Sequence, residues 1–395
     1  MPVAPDAKRK QDETVDSYLY RVGSNKDIYN LDWLEIRDLM NESTGNSYNE
    51  STWRKRFSSF RDGVEYAKKS FVSDNEVVKE IEDKTLEFQK ERFKFQDQKR
   101  EYTNIVRSQA RFEHLKDEIH KSILELAKHK PLKFVPPSPT LSNTKANTLW
   151  SDWHVGSEIR NSLNTYSLVI FKERVKQLVS KVIETGRIHN VSELTIADLG
   201  DMISGAIHVS TRVQASEDVI RQLQIVAEVI AESVAELSGH FDKIKLITII
   251  GNHSRLIPNK TEALHRENLE YLIPWYLESR LAAFSNVEIV KDTDGYYIDE
   301  VDGEKHVYVH GDLDHVASVA RTLPQLLGFV PKYVFCGHIH HDTVKEYGRT
   351  KVISNGSLMG IDDYALTKRF YAEPMQKMHI FDGPRIKCTY DFELK

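Results

Sequence analysis

Apolar positions along the chain fall into three textures. Between Thr14 and Val72 they come in short groups separated by polar loops. Leu31, Trp33, Leu34, Ile36 and Leu39 predict a helix over Leu31 to Met40, and Asn41 to Tyr48, rich in Asn, Ser, Thr and Gly, reads as the turn after it. A second helix is predicted from about Ser51 through Trp53, Phe57 and Phe60. Two short helices with a polar connection resemble a helix-turn-helix. Arg54, Lys55, Arg56 and Arg61 on the second helix are candidate contacts to DNA phosphates; the alternative is a small helical adaptor with a solvated basic face.

From Asp74 to Lys128 no proline or glycine interrupts a stretch dense in Glu, Lys, Gln and Arg, predicting one long helix or a pair. Ile81, Phe88, Phe95 and Tyr102 recur every seventh residue, and Ile105, Phe112, Ile119 and Leu126 continue three positions on, the spacing of a coiled coil. Lys84, Glu91 and Gln98 interrupt the second seam in the first half. A continuous helix here would run on the order of 80 Å at about 1.5 Å per residue. It must bury its stripe in a homo-oligomer or an intrachain hairpin. Pro131, Pro136, Pro137 and Pro139 then mark an extended linker.

Beyond the linker, strands and helices alternate. Thr148 to Asp152, Leu194 to Leu199 and Ile244 to Ile250 read as strands, the last buried on both faces. Helices are predicted around Leu168 to Val182, after a Ser216 cap, and over Ala263 to Ala283, followed by a mainly antiparallel β-rich half. The expected fold class is therefore an α/β sandwich flanked by helices, preceded by an all-α helix-turn-helix-like domain and a long helical connector. The boundaries are 1–72 helical domain, 73–129 long helix or coiled coil, 130–146 linker and 147–395 α/β domain.

Composition adds exclusions. A net charge of −5 gives no global basic signature, although a local basic groove is enough for nucleic acid. Two cysteines, Cys336 and Cys388, form no C-x-x-C, which speaks against a disulfide framework or a thiolate metal site. No apolar run approaches the roughly 18 to 20 residues of a membrane span, and Met1 to Glu13 has no apolar core of a secretion signal, so a cytoplasmic location is expected.

The chemistry lies at the strand ends. Ser151-Asp152-Trp153-His154-Val155-Gly156, Gly200-Asp201, Gly251-Asn252-His253, His310-Gly311 and Gly337-His338-Ile339-His340 each follow an apolar run. Hard oxygen and imidazole donors gathered there suit two divalent cations and phosphoester hydrolysis, with manganese, iron or zinc favoured over softer metals. Asp201 can bridge both cations, and a water between them loses its proton near neutral pH to become the nucleophile.

The five blocks in this order resemble the calcineurin-like metallophosphoesterase superfamily, over about Ala146 to Gly360. The resemblance implies that Asp152, His154, Asp201 and His340 hold one metal, and Asp201, Asn252, His310 and His338 the other. It makes His253 the histidine that contacts phosphoryl oxygens or protonates the leaving group, and Asn355-Gly356-Ser357 a loop that closes the site. Two positions depart from the pattern: Ser254 and Ser204 stand where many members carry acidic or orienting residues. His208, Arg212 and Arg255 are candidate phosphate contacts. His265, His315 and His341 are expected to be ordinary, Asp198 to be structural, and Asp314 to cap the helix after it.

The SDWHVG string is similar to the first motif of SbcD-like DNA repair exonucleases, and the helical extension is similar to that of phage-encoded members. Strings typical of Ser/Thr protein phosphatases are absent. The expected function is a two-metal phosphodiesterase acting on DNA. The alternatives are a nucleotide or small-molecule phosphodiesterase whose N-terminal region oligomerises, and a non-catalytic DNA-binding or assembly protein.

Overall fold

In the computed structural model the described residues are 7–71, 75–126, 130–207, 209–292 and 294–395. The chain divides into two compact units, Met1–Ala110 and Arg111–Lys395. The first is all-α, with α1 (Val15–Ser24), α2 (Lys26–Tyr29), α3 (Trp33–Thr44), α4 (Glu50–Phe71) and the start of α5 (Asn75–Leu126). Tyr18, Leu19, Val22, Ile36, Met40 and Trp53 form its core. The start of α3 is fixed by a reciprocal cap: Asp32 accepts from the backbone N–H of Leu34 and Glu35, and Glu35 accepts from that of Asp32.

Helix α5 is 52 residues long and unbroken, as the absence of proline and glycine predicts. Ile81, Phe88, Phe95 and Tyr102 are exposed along it. The side chains of Ile105, Phe112, Ile119 and Leu126 lie outside the described residues, as does His208.

The second unit is a sandwich of two sheets. Its first half contains β1 (Thr144–Trp150), β2 (Ile159–Arg160), β3 (Thr165–Tyr166), α6 (Leu168–Ile188), β4 (Val191–Asp198), α7 (Val209–Gln214), α8 (Val219–Ser238), β5 (Lys243–Thr248), α9 (Leu272–Arg280) and β6 (Val287–Lys291). The second half contains β7 (Tyr296–Val301), β8 (Glu304–Val309), α10 (Val319–Leu327), β9 (Tyr333–Cys336), β10 (Thr343–Tyr347), β11 (Thr350–Ser354), α11 (Asp363–Lys368), β12 (Met375–Asp382) and β13 (Arg385–Glu393). One sheet has the order β13-β12-β1-β4-β5-β6 and the other β10-β11-β9-β8-β7.

Alternation along each strand builds the layers. On β4 and β5, Leu194, Ile196, Ile244 and Leu246 face α6 and α8, whereas Ala197 and Ile247 face the opposite sheet. On β9, Tyr333 and Phe335 point into the space between sheets while Val334 and Cys336 pack under α10. Strands β1, β4, β5 and β6 are mutually parallel, and so are β8, β9 and β11. The carboxyl ends of both parallel sets are where ligands gather in open α/β sheets.

Several local expectations change. The second half is mainly antiparallel, as expected, but β8, β9 and β11 pair in parallel within it. No single helix covers Ala263 to Ala283; a 3-10 turn at Leu269–Tyr271 precedes the shorter α9. Asp218, not Ser216, caps α8. At α10 the capping position is Ser318, and the backbone carbonyl of His315, rather than Asp314, accepts from the first turn.

Candidate metal centre

All five motif blocks sit just beyond the ends of β1, β4, β5, β8 and β9. Three overlapping groups result: Asp152, His154 and His340; His154, Asp201 and His253; and Asp201, His310 and His338. Within each group the donor atoms lie within 4.8 Å of one another. Asn252 joins the last, with its Oδ1 3.1 Å from His310 Nε2. Asp152, His154, Asp201 and His310 are buried, and His340 is partly open.

Hydrogen bonds behind the site fix which atoms face it. His310 Nδ1 is 2.7 Å from the Leu199 carbonyl, so that nitrogen carries the proton and Nε2 presents a lone pair. The atoms facing that lone pair are Asp201 Oδ2 at 3.2 Å and Asn252 Oδ1, both acceptors. Among the described residues no hydrogen bond reaches the buried Asp201 Oδ2, whose charged neighbours are the His310 and His253 rings. His154 Nε2 meets His340 Nε2 at 3.0 Å, another pair of ring nitrogens competing for one positive charge.

Among the described residues no lysine or arginine pairs with Asp152 or Asp201; their ion-pair partners are histidines. Buried acceptors that converge without donors are costly unless a cation lies between them. The donor set of carboxylate, amide oxygen and imidazole fits divalent cations.

Protonation follows the same logic. Burial opposes charge on His310, yet without a cation at Nε2 the adjacent Asp201 pushes it up to about 10, so that nitrogen takes a second proton. Burial and the neighbouring His253 and His340 drive His154 well below the usual imidazole value. Without a cation, the cluster recruits protons onto some rings and expels them from others.

Backbone geometry is also unusual. Asp152, His154, Asp201, His338 and His340 all adopt positive φ, between 44° and 69°. Gly337 permits the close pass beneath Asp152, since a Cβ there would lie 2.8 Å from Asp152 Oδ2.

Residues of the surrounding shell were not legible in the sequence. Glu270, buried, accepts from the backbone N–H of Met202 at 2.8 Å and of Gly251 at 2.7 Å, tying the Asp201 and Asn252 loops together. Burial and Asp201 push its carboxyl up to about 7. The His253 ring is oriented by the backbone carbonyl of Ser204, 3.0 Å from Nδ1, so the missing acidic side chain is replaced by a main-chain acceptor. Ser254 donates to Asn268 instead. Gln376 accepts from Ser151 N–H and donates to the Gly356 carbonyl. In the Asn355-Gly356-Ser357 loop, Asn355 donates to the Leu149 carbonyl and Ser357 to that of Asp152, bracing the first block from behind.

The other candidates lie elsewhere. Arg212 is exposed on α7. Arg255 donates to the Pro258 carbonyl at 3.0 Å. In the N-terminal unit, Arg56 pairs with Asp16, Arg61 with Asp62 and Arg54 with Glu50. The same three arginines lie over Trp53, Phe57 and Trp33. Lys55 is exposed. Asp198 accepts from Gly200 N–H, a structural role. His265 pairs with Asp292 at 3.5 Å.

The second unit is thus a two-sheet sandwich flanked by helices, with carboxylate and imidazole donors gathered at its strand ends. The chain is 30% identical over 398 residues to the SPbeta prophage-derived uncharacterized protein YonJ of Bacillus subtilis (strain 168), covering 98% of each. It belongs to the YonJ family. The description "YonJ N-terminal domain" matches residues 3–72, and "YonJ coiled-coil domain" matches residues 84–126. Among solved structures, a novel archaeal phosphodiesterase aligns with TM-score 0.33 and 14% identity, covering 63% of this chain and 99% of that one. Vps29 of Entamoeba histolytica, complexed with zinc, aligns with TM-score 0.32 and 11% identity, covering 63% and 92%. A predicted phosphoesterase of Streptococcus pneumoniae TIGR4 aligns with TM-score 0.27 and 10% identity, covering 64% and 99%.

Proposed function

We propose that this chain hydrolyses phosphodiester bonds of DNA with two divalent cations, manganese first among the candidates. The observation that carries this reading is the buried convergence of acceptors on Asp152 and Asp201, which no lysine or arginine among the described residues pairs with. Asp152, His154, Asp201 and His340 would hold one cation, and Asp201, Asn252, His310 and His338 the second. Bound there, the cations would supply Lewis-acid charge at the phosphoryl oxygens.

The chain's own contribution is positional. The Ser204 carbonyl holds the proton of His253 on Nδ1, so Nε2, 4.0 Å from Asp201 Oδ2, is the nitrogen that would pass a proton to the leaving oxygen. Choice of DNA rests on the resemblance of Ser151 to Gly156 to the SbcD-like motif. It does not rest on the basic residues of α4, since three of the four are engaged with acids and aromatic rings of their own unit. The coiled-coil segment would serve self-association.

The test is hydrolysis of bis(p-nitrophenyl) phosphate and of labelled single- and double-stranded DNA in manganese, with His253→Ala alongside. Wild type should cleave. The variant should keep its metal content and lose roughly 10²- to 10⁴-fold in turnover. Retained turnover removes His253 from the mechanism, and a wild type inert toward every phosphodiester removes the function.

A further inference from the structure

The segment Asp362 to Glu373 lies at the rim of the metal centre and is not explained by packing. Its root is anchored. Asn164 donates to the carbonyls of Met359 and Ile361, both at 2.9 Å, and Asp363 accepts from Asn161 and from Gln214 of α7 at 3.2 and 3.1 Å.

Its tip behaves differently. Tyr364, Phe370 and Tyr371 are 67%, 57% and 60% exposed, three large aromatic side chains within eight positions that contribute little to any core. Lys368 lies over the Tyr364 ring at 5.8 Å, and Arg369, exposed, turns the chain with φ 61°. The acidic residues of the segment stand at its ends, Asp362 and Asp363 at the root and Glu373, which accepts from the Tyr371 hydroxyl at 3.1 Å. The ring of Phe370 is 6.3 Å from that of His341, the residue directly after the candidate ligand His340.

Exposed aromatic faces interleaved with cations are what an unpaired nucleobase and its flanking phosphates require. A protein ligand seeking an apolar patch would gain nothing from Lys368 and Arg369, and a paired duplex hides the base faces that rings stack on. We propose that Tyr364, Phe370 and Tyr371 form a stacking platform, with Lys368 and Arg369 beside it, for an unpaired nucleobase of the strand whose phosphodiester enters the metal centre. The inference rests on the function proposed above and narrows it to single-stranded nucleic acid or frayed ends. It also assigns a purpose to exposed Arg212, since α7 is tied to the same segment through Gln214 and Asp363.

The test uses the full chain and fluorescein-labelled dT10, with anisotropy read in chelator so that binding is measured without turnover. Phe370→Ala/Tyr371→Ala should weaken binding by about five- to a hundredfold per lost stack. Phe370→Trp should retain it, and unaltered thermal melts would show that the variants fold. A fully paired hairpin of equal charge should bind more weakly and be indifferent to the double variant. The platform is overturned if dT10 affinity is unmoved, if the hairpin loses as much, or if equimolar dTMP displaces the strand. Hydrolysis of bis(p-nitrophenyl) phosphate in manganese is measured in parallel. Its absence in wild type would defeat the enzymatic reading, while the binding comparison would still decide the platform.

Discussion

Among the described residues, nine non-glycine positions have positive φ, and five are candidate ligands: Asp152, His154, Asp201, His338 and His340. Such backbone costs on the order of 1–3 kcal/mol per residue and persists only where the surroundings enforce it. Here the enforcement is visible. Asp152 accepts from His338 N–H, Asp201 accepts from His253 N–H at 2.8 Å, and Glu270 clamps the loops behind them. The candidate ligand types were legible as motifs because divalent-cation chemistry calls for those side chains. The clamp was not, because Glu270 and the Ser204 carbonyl act through main-chain groups that any residue supplies. Glu270→Gln is expected to cost about 1–3 kcal/mol, since its amide group turns one acceptor into a donor facing an N–H. Calorimetric metal titration should show weakened affinity, with the Asp152 to His340 ligands untouched. Asp201→Asn separates site from scaffold. In wild type, metal at a hundredfold over its dissociation constant should add about 2.7 kcal/mol of stability. The variant should lose that increment and should itself melt somewhat lower than wild type in chelator, because without a cation Asp201 is the carboxylate that holds the second proton on His310, 3.2 Å away. An undiminished metal-dependent rise in melting temperature would exclude Asp201 as a ligand.

At the scale of elements, strands were readable where apolar residues recur on a buried face, as with Leu194 and Ile196 of β4 and Ile244 and Leu246 of β5, or fill both faces, as in β9. The segment after Gly251-Asn252-His253 reads as one helix in the sequence because Leu269, Ile273 and Leu277 keep helical spacing. The side chains of Asn259 and Asn268 compete for the backbone there, accepting from Thr261 and Glu270 N–H, and local turns win over a continuous helix. Strand β10 escaped notice since its middle, Val344 to Glu346, is solvent-exposed and carries little hydrophobic pattern. The inner faces of the two sheets also hold a polar surprise. His306 and His379 are wholly buried, and His379 Nδ1 lies 2.7 Å from Asn147 Oδ1. Burial lowers the two rings to about 4 and about 3 from the usual 6.5. The folded state therefore keeps them neutral, while the unfolded chain protonates below about pH 6.5. Their contribution is present above that pH and is lost as pH falls toward 4, amounting to about 2 kcal/mol each at pH 5. His306→Phe, which stays apolar beside Tyr333, Phe335 and Phe381, should flatten half of this acid loss. Urea titrations at pH 7.5 and 5, both in chelator, would show whether the gap between wild type and variant changes with pH; a constant gap contradicts the mechanism.

For the whole molecule, the open question is what the long helix buries. Ile81, Phe88, Phe95 and Tyr102 are 52%, 68%, 66% and 70% exposed, at sevenfold spacing on one helix face. Full burial of one such side chain is worth about 1.5–3 kcal/mol, so four partly exposed ones offer several kcal/mol to a partner helix. The interruptions Lys84, Glu91 and Gln98 in the second seam take some of that back, which predicts an association weaker than that of an ideal zipper. A second copy of the same helix satisfies the stripe without any further partner. Sedimentation should accordingly show a concentration-dependent dimer in the micromolar range. Phe88→Glu/Phe95→Glu should convert it to monomer while leaving metal binding by the sandwich intact. Because the driving term is apolar, raising salt should not dissociate the dimer, whereas binding held by lysine and arginine on phosphates would fall steeply over the same range. A wild type that stays monomeric at every concentration, with the double variant indistinguishable from it, would mean the stripe is covered by something other than its own copy.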